Sequence, residues 1–202
     1  SFARLGFARC AVSRRASVWS MGYARRFAQV LLAAGCLLPL LAFPSASQPI
    51  PVPSADLKPW PAATHPALLL ADLDGKPQDL AARAGSVVIV HFFATWCEPC
   101  RGELQSLRDV TSSMGRDVVV LAVNVAEVPA RVRTFLAETP VPFPVLLDRD
   151  RAATKRWAVH TLPTSFVLDR GLVPRLTVEG DIDWTAAGVR RALQKIAAGE
   201  PR

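Results

Sequence analysis

Cysteine is scarce in this chain of 202 residues, with four in all, and two of them, Cys10 and Cys36, precede residue 48. The remainder owns only Cys97 and Cys100, which excludes a framework of structural disulfides. Histidine is scarcer still: His65, His91 and His160 stand singly, and no second Cys-x-x-Cys exists. A zinc ribbon needs a second such pair or a histidine pair, and the chain has neither. Acidic residues are missing before Asp56, whereas Arg4, Arg9, Arg14, Arg15, Arg25 and Arg26 all lie in that stretch. These six arginines carry nearly all of the net charge of +7. A basic nucleic-acid-binding face on the remainder is therefore excluded.

What is present first is an export pattern. Met21 is a candidate true start, followed by basic Arg25-Arg26 and an uncharged apolar run from Val30 to Phe43. Ser45-Ala46-Ser47 then offers small residues for cleavage, so residues 1–47 read as a leader carrying a signal sequence. With Phe27, Ala28 and Gln29 added, the run nears the shortest membrane span, which makes an uncleaved anchor the second reading. A lipoprotein box around Cys36 ranks third, because Leu37-Leu38 continues the apolar run past the cysteine. Seven of the 17 prolines fall between Pro44 and Pro66, and residues 48–66 read as a semi-rigid linker. Trp60 within it is expected to pin that linker onto the domain.

Half of the residues are hydrophobic, and 5 Trp with 9 Phe supply a sizeable core. A folded domain is expected over 67–199. It opens with a β-hairpin turning at Asp74-Gly75 and a helical turn over Leu80–Ala84. Val87 to Ala94 is a near-continuous apolar run, the mark of a strand buried on both faces. A helix after Cys100 places Leu104, Leu107 and Val110 inward and Arg101, Glu103, Arg108 and Asp109 among its polar positions. Further strands are read at Asp117–Val125, Val145–Leu147, Thr164–Asp169 and Val173–Val178. Helices are read at Val128–Glu138, Ala152–Val159 and Trp184–Ala198. Strands alternating with helices and closing on a hairpin and helix predict an α/β fold, with a central mixed sheet flanked by helices.

Between the buried strand and its helix stands Trp96-Cys97-Glu98-Pro99-Cys100. A helix N-terminus favours a thiolate, through unpaired N–H groups and the positive end of the helix dipole. Pro99 in the first turn loses nothing by lacking an N–H. The spacing lets the two thiols close a small disulfide that can be reduced and reformed. Redox use is preferred to metal binding because strand, cysteine pair and helix agree.

Phe93-Ala94-Thr95-Trp96-Cys97-Glu98-Pro99-Cys100-Arg101 resembles the active site of thioredoxin-like proteins, specifically the exported TlpA/ResA branch. Thr161-Leu162-Pro163-Thr164-Ser165-Phe166 is similar to that family's cis-proline loop, and Ala122-Val123-Asn124-Val125-Ala126-Glu127 to a segment that brings a glutamate near the cysteines. The resemblance implies a thioredoxin-like fold with an N-terminal β-hairpin extension. It implies a thiol–disulfide oxidoreductase in the periplasm, or on the outer face of the bacterial cytoplasmic membrane, that reduces protein disulfides and needs no cofactor beyond its own disulfide. Expected substrates are apocytochrome c haem-attachment sites or copper-site assembly proteins, with electrons from a membrane thiol carrier of the DsbD/CcdA type.

The resemblance casts Cys97 as the attacking thiol, Cys100 as the resolving thiol, and Pro163, with Leu162 and Thr164, as the edge that receives substrate. Trp96 is expected to shield one side of the pair, Glu98 to raise the thiol pKa values, and Glu127 to tune the pair. His65 is expected to be inert, and His160 a surface residue within reach of substrate. His91, six residues before Cys97, stands where thioredoxins carry a buried aspartate and many TlpA-like members an asparagine. It reads either as a neutral core histidine or as a base for Cys100. A Sco-type copper chaperone would need Cys-x-x-x-Cys with a downstream histidine, and a peroxiredoxin a different cysteine motif. A DsbA-like oxidant would need a helical insertion between Val125 and Val145, for which there is no room.

Overall fold

The computed structural model describes residues 56–199. The leader, its proposed start and cleavage site, Cys10 and Cys36 lie outside the described residues. The sheet is organised around β4 (Val87–Phe93), every residue of which is buried. Parallel to it runs β5 (Val118–Val125), followed by parallel β6 (Val145–Asp148). On its other side β7 (Thr164–Leu168) and then β8 (Pro174–Glu179) pair antiparallel. An edge strand β1 (Lys58–Pro59) completes six strands in the order β1-β8-β7-β4-β5-β6. This is the expected mixed sheet.

Strand alternation sorts the core into two clusters. Val87, Ile89 and Phe93 of β4 face the cluster built with α1 (Glu98–Met114), α2 (Pro129–Glu138) and α4 (Ala187–Ala197). Val88, Val90 and Phe92 face the cluster that holds Trp157, just past α3 (Ala152–Arg156). The hairpin β2 (Leu69–Ala71) and β3 (Pro77–Asp79) turns at Gly75, whose φ of 77° suits a residue without Cβ. Asp72 ties the hairpin to β6 through a bridge to Leu146.

Two departures from the sequence reading have local causes. Trp184, read as the first residue of the closing helix, lies ahead of α4 and is fully buried, with its indole N–H donating to Glu103 Oε1 at 2.7 Å. That bond satisfies the polar end of an otherwise apolar buried side chain. The proline-rich segment also contributes to the sheet: Lys58 and Pro59 pair with Thr177 and Leu176, and the Trp60 ring lies 4.7 Å from that of Phe166. Proline is tolerated there because β1 is an edge strand.

Trp60 therefore does more than decorate a spacer. Trp60→Ala is expected to lower stability by roughly 1–3 kcal/mol, as for a half-buried aromatic. An unchanged urea midpoint would show that the segment contributes nothing to the domain.

Candidate active site

β4 ends at Phe93, and the chain turns once before α1 begins at Glu98. Cys97 is the N-cap residue with extended backbone, and its N–H donates to Ala94 O at 3.2 Å. Cys97 and Cys100 form a disulfide. Cys97 keeps 7% of its surface exposed and Cys100 none, so the cysteine at the helix start is the more accessible of the two. Pro99 occupies the first turn, and Glu98 and Pro99 are both exposed.

The proline loop lies beside this turn because β7 pairs with β4 in a register that sets Thr164 against Phe92. The Leu162–Pro163 peptide is cis. Leu162 packs against the cluster containing both cysteines, and Thr164 Oγ1 donates to Thr161 O at 2.9 Å. Trp96, next to Cys97 in the chain, is 65% exposed and, with Leu162, walls a cavity.

Glu127 is buried and oriented by the left-handed backbone of Ala126, at φ 62°. Its Oε2 accepts from Thr95 N–H and Asn124 Nδ2, both at 2.7 Å, and its Oε1 from Thr95 Oγ1 at 2.6 Å. Arg131 Nε lies 3.5 Å from Oε1. Glu127 thus clamps the residue two before Cys97. His65 stacks on Trp157 with ring centroids 6.0 Å apart, and His160 is exposed on the cavity rim.

Sequence reasoning missed Glu103. Counted among the polar positions of its helix, it is instead 3% exposed, one turn past Cys100 and on the same buried side. The available signal was its spacing: Cys100, Glu103, Leu104 and Leu107 fall on one helical stripe. Glu103 Oε1 accepts from Trp184 Nε1 and, at 3.3 Å, from Ser165 Oγ. The register sets His91 directly opposite Ser165, and His91 Nδ1 lies 2.8 Å from Ser165 Oγ. A serine hydroxyl has one proton to give. If it donates to Glu103, it accepts from His91 Nδ1–H, which leaves Nε2 a bare lone pair without a partner.

Burial pushes the Glu103 carboxyl up to about 8, against hydrogen bonds from Trp184 and Ser165 that favour its ionised form. Burial likewise pushes His91 down to about 3. The 3.5 Å contact between His91 Nδ1 and Glu103 Oε1 therefore joins two neutral groups near pH 7, because an ion pair fully removed from water would not recover its hydration.

A closed pair of cysteines at a helix start, beside a cis-proline loop, is equipped to exchange disulfides, and the fold and site together define a thiol–disulfide oxidoreductase of the thioredoxin type. The redoxin family profile matches residues 46–189. The ResA thiol–disulfide oxidoreductase of Geobacillus kaustophilus is 30% identical over 135 residues, covering 66% of this chain and 76% of its own. That of Bacillus subtilis is 35% identical over 105 residues, covering 52% and 59%. A solved thiol:disulfide interchange protein DsbE of Chlorobium tepidum superposes with a TM-score of 0.58 at 27% identity, covering 67% of this chain and 94% of its own. The chain belongs to the redoxin family and, within it, to the ResA-type thiol–disulfide oxidoreductases.

The two shifted groups make stability depend on pH in opposite senses. Folded Glu103 keeps a proton that the unfolded chain loses between pH 4.5 and about 8, so stability falls as pH rises through that window. Folded His91 refuses a proton that the unfolded chain takes up below 6.5, so stability falls as pH drops from 6.5 toward about 3. Between 4.5 and 6.5 the slopes cancel. The oxidised protein is expected to lose about 2 kcal/mol between pH 6.5 and 8. Glu103→Gln should abolish that decline and keep the acid one; urea midpoints across pH check this, and an undiminished alkaline decline would assign it to another group.

Proposed function

We propose that the protein reduces protein disulfides outside the cytoplasmic membrane. The acid between the cysteines and the burial around them carry this reading. Glu98 lies between the cysteines, Cys100 is sealed in the apolar cluster, and neighbouring Arg101 is engaged elsewhere, 4.8 Å from the Phe135 ring and 3.7 Å from Glu138 Oε2. Negative charge and an apolar lining disfavour thiolates, and a dithiol whose reduced form is not stabilised is a reductant. The basic, apolar and small-residue succession of the leader supports export.

In this mechanism the Cys97 thiolate attacks a substrate sulfur: the Cys97–substrate bond forms, the substrate disulfide breaks, and one substrate thiolate leaves. Cys100 then gives up its proton and attacks Cys97 Sγ, expelling the second thiolate and closing the disulfide. Two electrons pass to the substrate. The proton from Cys100 passes to the His91–Glu103 cluster, whose Glu103 lies one turn further along α1. Pro163 and Leu162 border the path of an extended substrate segment; no backbone hydrogen bond among the described residues engages Leu162. Apocytochrome c haem-attachment cysteines and copper-site assembly proteins are substrates compatible with this chemistry. A membrane thiol carrier of the DsbD/CcdA type would restore the dithiol.

The full chain is expected to have a reduction potential near that of thioredoxin, about −270 mV; a value near that of DsbA, about −120 mV, would make it an oxidant. Cys97→Ser should abolish disulfide reduction, and Cys100→Ser should accumulate a mixed disulfide through Cys97. Trapping through Cys100 instead would reverse the roles.

His91 and Glu127 act on the pair differently in this reading. His91→Asn removes the unpartnered base and should slow release of the Cys97 mixed disulfide, most visibly between about pH 6 and 8. Glu127→Gln removes a buried negative charge near the Thr95 turn and should lower the apparent pKa of Cys97. Release rates and thiol titrations indistinguishable from the parent would confine both residues to structural roles.

A further inference from the structure

We propose that the cavity beside Trp96 is a specificity subsite for a substrate segment carrying an apolar side chain and a carboxylate next to its cysteine; the proposal rests on the reading of the protein as a reductant of protein disulfides. The cavity, of about 460 Å³, lies between the cysteine turn and the proline loop. That volume is in the lower part of the range for ligand pockets, room for a side chain or two. Trp96, Val125, Val159 and Leu162 give it apolar walls, and exposed Arg151 and His160 stand at its rim. Trp96 adjoins Cys97, and Leu162 adjoins Pro163. A chain whose sulfur is joined to Cys97 has its neighbouring residues within reach of this cavity.

Backbone conformation marks the same place. Ala126 and Arg151 line the cavity with φ of 62° and 61°, and Ala158, next to lining Val159, has φ of 52°. Left-handed backbone is unfavourable for residues with a Cβ and gathers where a binding surface imposes it. Three such residues border this one cavity.

Charge then selects the occupant. Arg149, Arg151, Lys155 and Arg156 are all exposed, and none is in an ion pair among the described residues. The acids of this segment are engaged with backbone: Asp148 is buried and accepts from Ala153 N–H, Thr154 N–H and Thr154 Oγ1, and Asp150 accepts from Ala152 N–H. The acids flanking the cavity differ in reach. Glu127 is clamped by Thr95, Asn124 and Arg131, and Glu98 is exposed just beyond Cys97. The surface thus changes sign from Glu98 to Arg151. A substrate with its carboxylate on the Arg151 side docks in one orientation. Such rim charges act chiefly on the rate of encounter and its salt dependence.

The test uses the reduced full chain and two disulfide-bonded peptides, both with leucine beside the cysteine. They differ only in glutamate or lysine at the next position. The parent is expected to show a kcat/KM at least about threefold higher for the glutamate peptide at low salt, the scale of one exposed ion pair, shrinking as salt rises. Arg151→Asn, which suits left-handed backbone, should bring the ratio of the two peptides toward one. Arg191→Asn on α4 removes the same charge elsewhere and should keep the ratio. Equal rates for the two peptides in the parent would overturn the subsite, as would a ratio that survives Arg151→Asn or falls equally in Arg191→Asn. Hydroxyethyl disulfide, small and neutral, is the reference substrate. If the parent reduces it but shows no peptide preference, only the subsite fails; if the parent reduces neither it nor the peptides, the reductant reading fails too.

Discussion

The burial of β4 on both faces constrains everything else in this molecule. A strand with no accessible residue must be hydrogen-bonded on both edges, and β5 and β7 supply that pairing over nearly its whole length. Alternation then fixes which residues look toward α1 and which toward Trp157. The chain can leave such a strand only at its end, and it leaves through a single turn into α1. Cys97 inherits its position from that geometry: last before the helix, slightly exposed, with Cys100 one turn deeper and sealed.

The same constraint explains the polar cluster in the core. His91 occupies a position of β4 that faces α1, where its neighbours in alternation are Ile89 and Phe93. It is tolerated because the β4–β7 register brings Ser165 opposite it, and α1 brings Glu103 above both. Each member depends on the others: Ser165 links two groups that burial keeps neutral, and Trp184 fills the remaining acceptor need of Glu103 Oε1. A buried network of this kind is stable when its members are satisfied and costly where they are not. The two atoms left unpartnered, His91 Nε2 and Glu103 Oε2, belong to the two titratable members.

Much of this was legible in the sequence, because its signals were local. The run Val87–Ala94, the Cys97–Cys100 spacing and the Asp74-Gly75 turn each announce themselves within a few residues, and the mixed sheet follows from their order. Glu103 was not legible by composition: a glutamate on an amphipathic helix ordinarily faces water, and only the partners Ser165 and Trp184, 62 and 81 residues away, make its burial tolerable. Trp184 was displaced from its expected helix for the complementary reason. The role of Lys58–Pro59 was hidden because a two-residue edge strand has no periodicity to detect. Glu127 was singled out as a neighbour of the thiols, and its observed partners tie it to the turn that carries them.

The proposed mechanism turns on how a proton can leave a sealed thiol without stranding charge in the core. Cys100 has no exposed surface, and in this mechanism its proton passes through groups already buried. If His91 accepts it, the thiolate is consumed as the new disulfide forms, and an imidazolium remains in an apolar setting. Alone, that charge would carry a desolvation penalty of several kcal/mol. Glu103 stands 3.5 Å away and is held neutral only by burial, so a cation beside it favours passage of its own proton on to the expelled substrate thiolate. The imidazolium and carboxylate then stabilise each other until the proton moves from His91 to Glu103 and both are neutral again. Two groups that burial drives in opposite directions thus act as a coupled pair that takes up one proton and hands on another. With asparagine in place of His91, Glu103 already holds its proton and has no buried base beside it to take the one from Cys100.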